Sequence, residues 1–246
     1  MGYIAAIALC AVMAGLAYWR GLLSGAGSAA ALAVGILIAV FGGLGWVLIL
    51  LIFLLSSFAA TRYRFEAKKA MGLEEGARGE RGPANVLANG AVACAAAVAY
   101  FFFRQLDATL GNMAVVLFLV AVATAASDTL ASELGVLSPK AYLITNGKRV
   151  PPGTNGGVSG MGTVWALVAA AYVSAVGNIV LLLTGAIQPT AMSVFLPILF
   201  GFVGCQVDSV FGALLENRGL ISKQTNNLYS IALATLMAAV VMLCLR

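Results

Sequence analysis

Apolar runs of about 20 residues, long enough to cross the hydrocarbon core of a bilayer as helices, follow one another along most of this chain. Eight spans are expected, at roughly 2–19, 25–41, 44–60, 84–103, 112–134, 158–184, 190–214 and 226–245. The count falls to seven if one of the first three does not cross. Span two is short and rich in Ala and Gly, and it meets span three at Gly42-Gly43, as a tight hairpin or a partly re-entrant segment. The strict polar alternation of an outer-membrane barrel is absent. Only 9% of residues are charged and 62% are hydrophobic, whereas a soluble domain carries about 25% charge. The expected fold is therefore all-α: one polytopic integral-membrane domain over 1–246, with aqueous loops at about 61–83, 135–157 and 215–225.

Lys and Arg divide unequally between the two sides. Twelve of the 14 fall in alternate loops on one side, against Arg104 and Arg246 on the other. That asymmetry places the first side in the cytoplasm of a cell-membrane protein, with both termini outside if eight spans cross. The net charge of +5 is thus topogenic and does not point to nucleic acid. Lys68 and Lys69 are assigned wholly to this pattern. The first run lacks a basic leader and a cleavage site, so it reads as a span and not as a signal peptide. The four cysteines lie inside apolar runs without metal-ligand spacing, and histidine is absent. Histidine triads, His-ligated zinc and a histidine general base are excluded.

Ionisable residues near membrane helices are costly and mark function. Asp128 and Glu133 close span five, and Asp208 and Glu216 close span seven, all toward the cytoplasmic side. Asp128 shares a helical face with Ser132, and Gly204, Asp208, Gly212 and Glu216 form a four-residue stripe. Oxygen ligands from two helices suit Mg²⁺ on a polyphosphate, so Asp128, Glu133 and Asp208 are the expected metal ligands. The alternative for these acids is pairing with arginine or helix capping. The loop Thr145–Thr163 is rich in glycine and leads straight into span six. Gly153, Thr154, Gly156, Gly157, Ser159 and Thr163 are candidates for a phosphate cradle of backbone donors and hydroxyls; a merely flexible loop is the alternative. Arg78 and Arg81 can fork onto phosphate oxygens, and Asn85 and Asn89 follow on the first turns of span four. Asn226 and Asn227 open span eight, with Thr225 as the expected N-cap. All of these blocks converge on one membrane face. Metal-binding acids, phosphate-binding glycines and charge-neutralising arginines are the components of phosphoryl transfer.

Gly76–Gly90, Ser127–Gly135 and Gly153–Thr163, with looser matches at Asp208-Ser209 and Asn226-Asn227, resemble an integral-membrane family. It includes the plant phytyl-phosphate kinase of vitamin E synthesis and its prokaryotic relatives. The resemblance implies transfer of a phosphoryl group from a nucleoside triphosphate, CTP in related polyprenol kinases, to an isoprenyl monophosphate (phytyl, geranylgeranyl or farnesyl). No plastid transit peptide is evident, which fits a prokaryotic member. On this reading Asp128, Asp208 and Arg78 are catalytic, and Mg²⁺ is held by Asp128, Asp208 and Glu133. Arg78 and Arg81 contact the acceptor phosphate or the transferred group, the Gly-rich loop holds the nucleotide phosphates, and Asn85, Asn89 and Asn226 orient them. The rival readings are a polyprenol or phytol kinase acting on the free alcohol, a secondary transporter, and a structural membrane protein. Small-residue stripes such as Gly201/Cys205 suit internal packing and a homodimer equally.

Overall fold

The computed structural model describes residues 2–73 and 79–245. Among these, the helices are α1 (Gly2–Trp19), α2 (Gly25–Phe41), α3 (Leu44–Arg62), the short α4 (Phe65–Ala70), α5 (Pro83–Phe103), α6 (Ala108–Gly135), α7 (Gly160–Leu183), α8 (Ala191–Leu214) and α9 (Lys223–Cys244). Six are long and apolar enough to cross a membrane, namely α3 and α5 to α9; Ile4–Trp19 and Gly25–Phe41 are shorter apolar helices. Gly42-Gly43 forms the tight connection between α2 and α3, with Gly43 at φ +87°. The polytopic all-α expectation holds, with one addition. The 135–157 loop contains three short strands, β1 (Ala141–Leu143), β2 (Arg149–Val150) and β3 (Gly157–Val158), paired antiparallel in the order β2-β1-β3.

Helix α6 is the axis of the bundle and packs against α3, α5, α7, α8 and α9. Its sequence is apolar on every face, as a fully surrounded helix requires, and its central residues Val115, Leu119, Ala121 and Ala125 are wholly buried. Lipid tails are as apolar as these side chains, so van der Waals fit and interhelical hydrogen bonds hold such a bundle together. Glycines supply the fit. Gly201 of α8 lies on Ala123, Gly204 on Thr124, and Gly135 of α6 meets Gly162 of α7. Gly201 and buried Cys205 are therefore used in packing within the chain.

Helix α8 carries Pro197 in its interior, which removes the N–H that would bond the Ser193 carbonyl. Asn178 of α7 donates its Nδ2 to that carbonyl at 2.8 Å, and Ser174 donates to the Val194 carbonyl at 2.6 Å. Side chains on a neighbouring helix thus satisfy backbone that water cannot reach. Pro83 sits at the first turn of α5, where its missing N–H costs nothing. Ser222, and not Thr225, caps α9: its hydroxyl accepts from the Thr225 N–H at 3.1 Å. The helix begins at Lys223, one turn before the expected start at 226, and Asn226 lies within it.

Candidate active site

The ends of α6 and α8 and the starts of α7 and α9 meet around a polar cavity of about 1340 Å³, counting its open mouth. Asp128 of α6 and Asp208 of α8 both line it, with their carboxyl groups close enough to interact. Asn226 of α9 anchors the second acid: its Nδ2 donates to the Asp208 carbonyl at 3.0 Å, to Asp208 Oδ1 at 3.2 Å and to Glu216 Oε2 at 3.4 Å. Ser230 donates to Asp208 Oδ2 at 3.0 Å. Asn226 is 1% exposed, and its Oδ1 is buried without a hydrogen-bond partner.

Two carboxylates in contact repel when both are ionised, so the pair favours a cation. With Glu216 and the unsatisfied Asn226 oxygen, the donors are all hard oxygens. Among the described residues, no three His, Cys, Asp or Glu side chains converge into a protein-only metal site. Mg²⁺ takes one or two carboxylates and completes its octahedron with phosphate oxygens and water. The residues present fit such an ion.

Glu133 does not join this group, contrary to expectation. Its Oε2 forms an ion pair with Lys68 Nζ at 2.6 Å, and its Oε1 accepts from Thr61 at 2.8 Å and lies 3.9 Å from Arg81. It stands five residues after Asp128, about 140° around the helix from it. A carboxylate already satisfied by buried cations is a poor metal ligand. Lys68, assigned to topology from sequence, is 1% exposed. Helix α4 folds it inward, and its ammonium also donates to the Ala60 carbonyl at 2.9 Å.

The Gly-rich loop lies over the cavity as a strap. Gly156, at φ +76°, rests directly on Ser209 and Ala213 of α8, and Gly212 admits the Gly156 backbone. Asn217 donates to the Asn155 carbonyl at 2.9 Å. These glycines therefore let the strap reach α8, where a phosphate ligand was the expected partner. The expected hydroxyl donors are also engaged. Thr154 donates to Pro151, Thr163 to the Ser159 carbonyl and Ser159 to Gly135, while Ser159 caps α7 by accepting from Gly162 N–H. The first N–H groups of α7, at Gly160 and Met161, precede any intrahelical acceptor, but neither residue lines the cavity. Lys223 lines the cavity beside Glu216; sequence reading counted it only as a topogenic charge.

The Arg/Asn block is placed elsewhere. Arg78 lies outside the described residues. Arg81, Asn85 and Asn89 line a second, largely apolar cavity among α1, α2, α3 and α5. Asn89 Nδ2 donates to the Asn85 carbonyl at 2.8 Å. The two cavities adjoin at the cluster of Arg81, Glu133, Lys68 and Thr61, since Glu133 lines the first and Arg81 the second.

The family model described as "Integral membrane protein DUF92" matches residues 8–240. An uncharacterized membrane protein of Methanocaldococcus jannaschii is 33% identical over 79% of this chain and 75% of its own length. Protein VTE6, chloroplastic, of Arabidopsis thaliana is 29% identical over 88% of this chain and 64% of its own length, so the chain spans less than two thirds of that relative. An uncharacterized membrane protein of Synechocystis is 34% identical over 73% of this chain and 67% of its own. No solved structure matches. With nearly its whole length matched, the chain belongs to the integral membrane protein DUF92 family.

Proposed function

We propose that this membrane protein is a kinase that transfers the terminal phosphoryl group of a nucleoside triphosphate, CTP by family resemblance, to an isoprenyl monophosphate. The observation that carries the reading is the Asp128–Asp208 contact between facing helices, anchored by Asn226 and covered by the glycine strap. The sequence blocks shared with the phytyl-phosphate kinase family and the 29% identity with VTE6 support the same class of chemistry.

Asp128, Asp208 and Asn226 Oδ1 would hold Mg²⁺, which would supply charge neutralisation on the triphosphate. Lys223 binds phosphate oxygens at the same mouth. The acceptor needs no histidine base, because a phosphate monoester is already a nucleophilic anion near neutrality, its second pKa being about 6. One of its oxygens forms a bond to the γ-phosphorus. The bond from that phosphorus to the β–γ bridging oxygen breaks, and the nucleoside diphosphate leaves with the electron pair. Positioning and charge neutralisation supply most of the catalysis in such a transfer.

Depth separates this reading from transport. Asp128 lies seven residues before the end of the 28-residue α6, about 10 Å below it at ~1.5 Å per residue. Asp208 lies six residues before the end of α8, about 9 Å below it. Transport sites sit near the bilayer midplane in broken helices, whereas α6 is continuous through its own middle. The positive-inside asymmetry puts this face in the cytoplasm.

The test is transfer of label from γ-labelled CTP or ATP by purified protein with Mg²⁺, using geranylgeranyl phosphate and geranylgeraniol as acceptors. Labelled diphosphate formed from the monophosphate supports the reading. Label on the alcohol reassigns the protein as a polyprenol kinase, and no transfer by folded protein sinks the kinase reading.

A further inference from the structure

The second cavity has the shape of an amphiphile site. It is a groove lined by α1, α2, α3 and α5. Met13, Val34, Val47, Leu50 and Phe53 give it apolar walls drawn from three helices. Its charged and amide groups are confined to α5 and to Arg81, two residues before it. Arg81 is fixed there by its backbone, which donates to the Leu22 carbonyl at 3.0 Å and accepts from Ser24 N–H at 3.1 Å. One turn and a half into α5, Asn89 is 7% exposed, and its Oδ1 is buried without a hydrogen-bond partner. A buried amide oxygen left so costs about 1–3 kcal/mol, a cost that a donor from a bound head group or its water would remove. Arg81 also touches the cluster that bounds the acidic cavity, through Glu133 at 3.9 Å. An amphiphile whose chain lies among α1, α2 and α3 would therefore present its head toward the Arg81–Glu133 cluster that bounds the acidic cavity.

We propose that this cavity is the acceptor site, holding the isoprenoid chain among α1, α2 and α3 with its head group toward Arg81, Asn85 and Asn89. The inference rests on the kinase reading for the identity of the ligand, and it assigns the nucleotide and the lipid to different cavities. Ala14 of α1 and Ala31 of α2 both line the apolar part, so a ring added at either fills the chain's space without touching the acidic site.

The experiment measures equilibrium binding of tritiated geranylgeranyl phosphate to the detergent-purified full chain without nucleotide. It is paired with photocrosslinking by a diazirine-tailed analogue mapped by mass spectrometry. Ala31→Phe and Ala14→Phe should each weaken lipid binding at least tenfold while Mg²⁺–CTP binding stays within twofold. Ala31→Ser, of nearly native size, should bind normally. Crosslinks should fall on α1–α3. Retained nucleotide binding shows that a weak lipid binder is folded. Unchanged lipid affinity in both Phe variants, or crosslinks confined to α6–α9, would overturn the assignment. Equal competition by phosphatidylglycerol would also overturn it, marking a bilayer-lipid site. Competition by geranylgeraniol as strong as by the phosphate would keep the chain site and move the head-group chemistry to the alcohol. Specific binding to α1–α3 without transfer to any acceptor would retain the cavity and sink the kinase reading, so the two failures are distinguishable.

Discussion

Removing Lys68 tests the buried cluster that separates the two cavities. The ammonium lies 2.6 Å from Glu133 Oε2, with the two side chains 2% and 10% exposed. At that distance and an effective dielectric near 20, the Coulomb attraction is about 6 kcal/mol. Desolvation offsets much of it, yet deleting one partner of a buried pair leaves an uncompensated charge and costs about 3–5 kcal/mol. In Lys68→Met, Glu133 keeps the Thr61 hydrogen bond and Arg81 at 3.9 Å, so the lower end, about 3 kcal/mol, is expected. For a chain of this size that is a fall of roughly 6–12 °C in Tm at about 2–4 °C per kcal/mol. The assay is a thermal melt in detergent of Lys68→Met, Glu133→Gln and the double variant. The double variant should recover at least 1 kcal/mol relative to the sum of the singles, because it removes both charges together. Additive losses, or a single variant that melts like wild type, would refute the pairing. A Glu133→Gln variant with unchanged Tm and a raised Mg²⁺ requirement would instead restore Glu133 as a metal ligand.

Three further outcomes follow from the geometry. Asp128→Asn and Asp208→Asn should each lower kcat at least 100-fold in the labelled-phosphate assay while the protein still extracts and melts normally; near-wild-type turnover in either would remove the metal assignment. Gly156→Val should lift the strap, since its φ of +76° disfavours a side chain and a Cβ there meets Ala213 and Ser209; hydrogen exchange over 150–158 should rise, and unchanged exchange would contradict the contact. Asn178→Leu should destabilise by about 1–3 kcal/mol by orphaning the Ser193 carbonyl beneath Pro197, read as a lower Tm that a second change, Pro197→Ala, partly restores.

Sequence alone was informative where physics acts locally. Apolar run length exposes the spans, and the alternation of basic loops brings Asp128, Asp208, the glycine loop and Asn226 to one face, where the structure also joins them. It was uninformative where position depends on how the chain turns back. Lys68 and Glu133 are 65 residues apart, and only the inward fold of the six-residue α4 brings them together. Nothing in the run Lys68-Lys69 distinguishes the buried lysine from the exposed one. The strands around Asn146-Gly147 did carry a signal, since a turn dipeptide flanked by Tyr142-Leu143-Ile144 and Arg149-Val150 reads as a hairpin; the glycine density beside it concealed it. Gly156 and Gly212 show a different limit. A glycine marks a close approach, but its partner here is the facing backbone, a choice composition does not express.

The cluster of Arg81, Glu133, Lys68 and Thr61 gives the bundle its functional division. Three helices and one loop contribute to it: α3 through Thr61, α4 through Lys68, α6 through Glu133, and the loop before α5 through Arg81. Helix α6 carries both Asp128 and Glu133, five residues apart, and Glu133 lies 3.9 Å from Arg81 of the second cavity. Any shift of α3 or α5 that accommodates a chain must either move with Glu133 or break its bonds to Lys68 and Thr61. Breaking them is costly in a water-poor interior, so on the kinase reading occupancy of the apolar cavity would be linked to geometry at Asp128 through α6. Such a link makes catalysis sensitive to how well the chain fills its groove. A truncated prenyl phosphate should therefore lose kcat as well as affinity, the expected signature when remote binding energy is used to align the reacting groups. Equal kcat for C5 and C20 acceptors at saturation would show that the chain contributes binding alone.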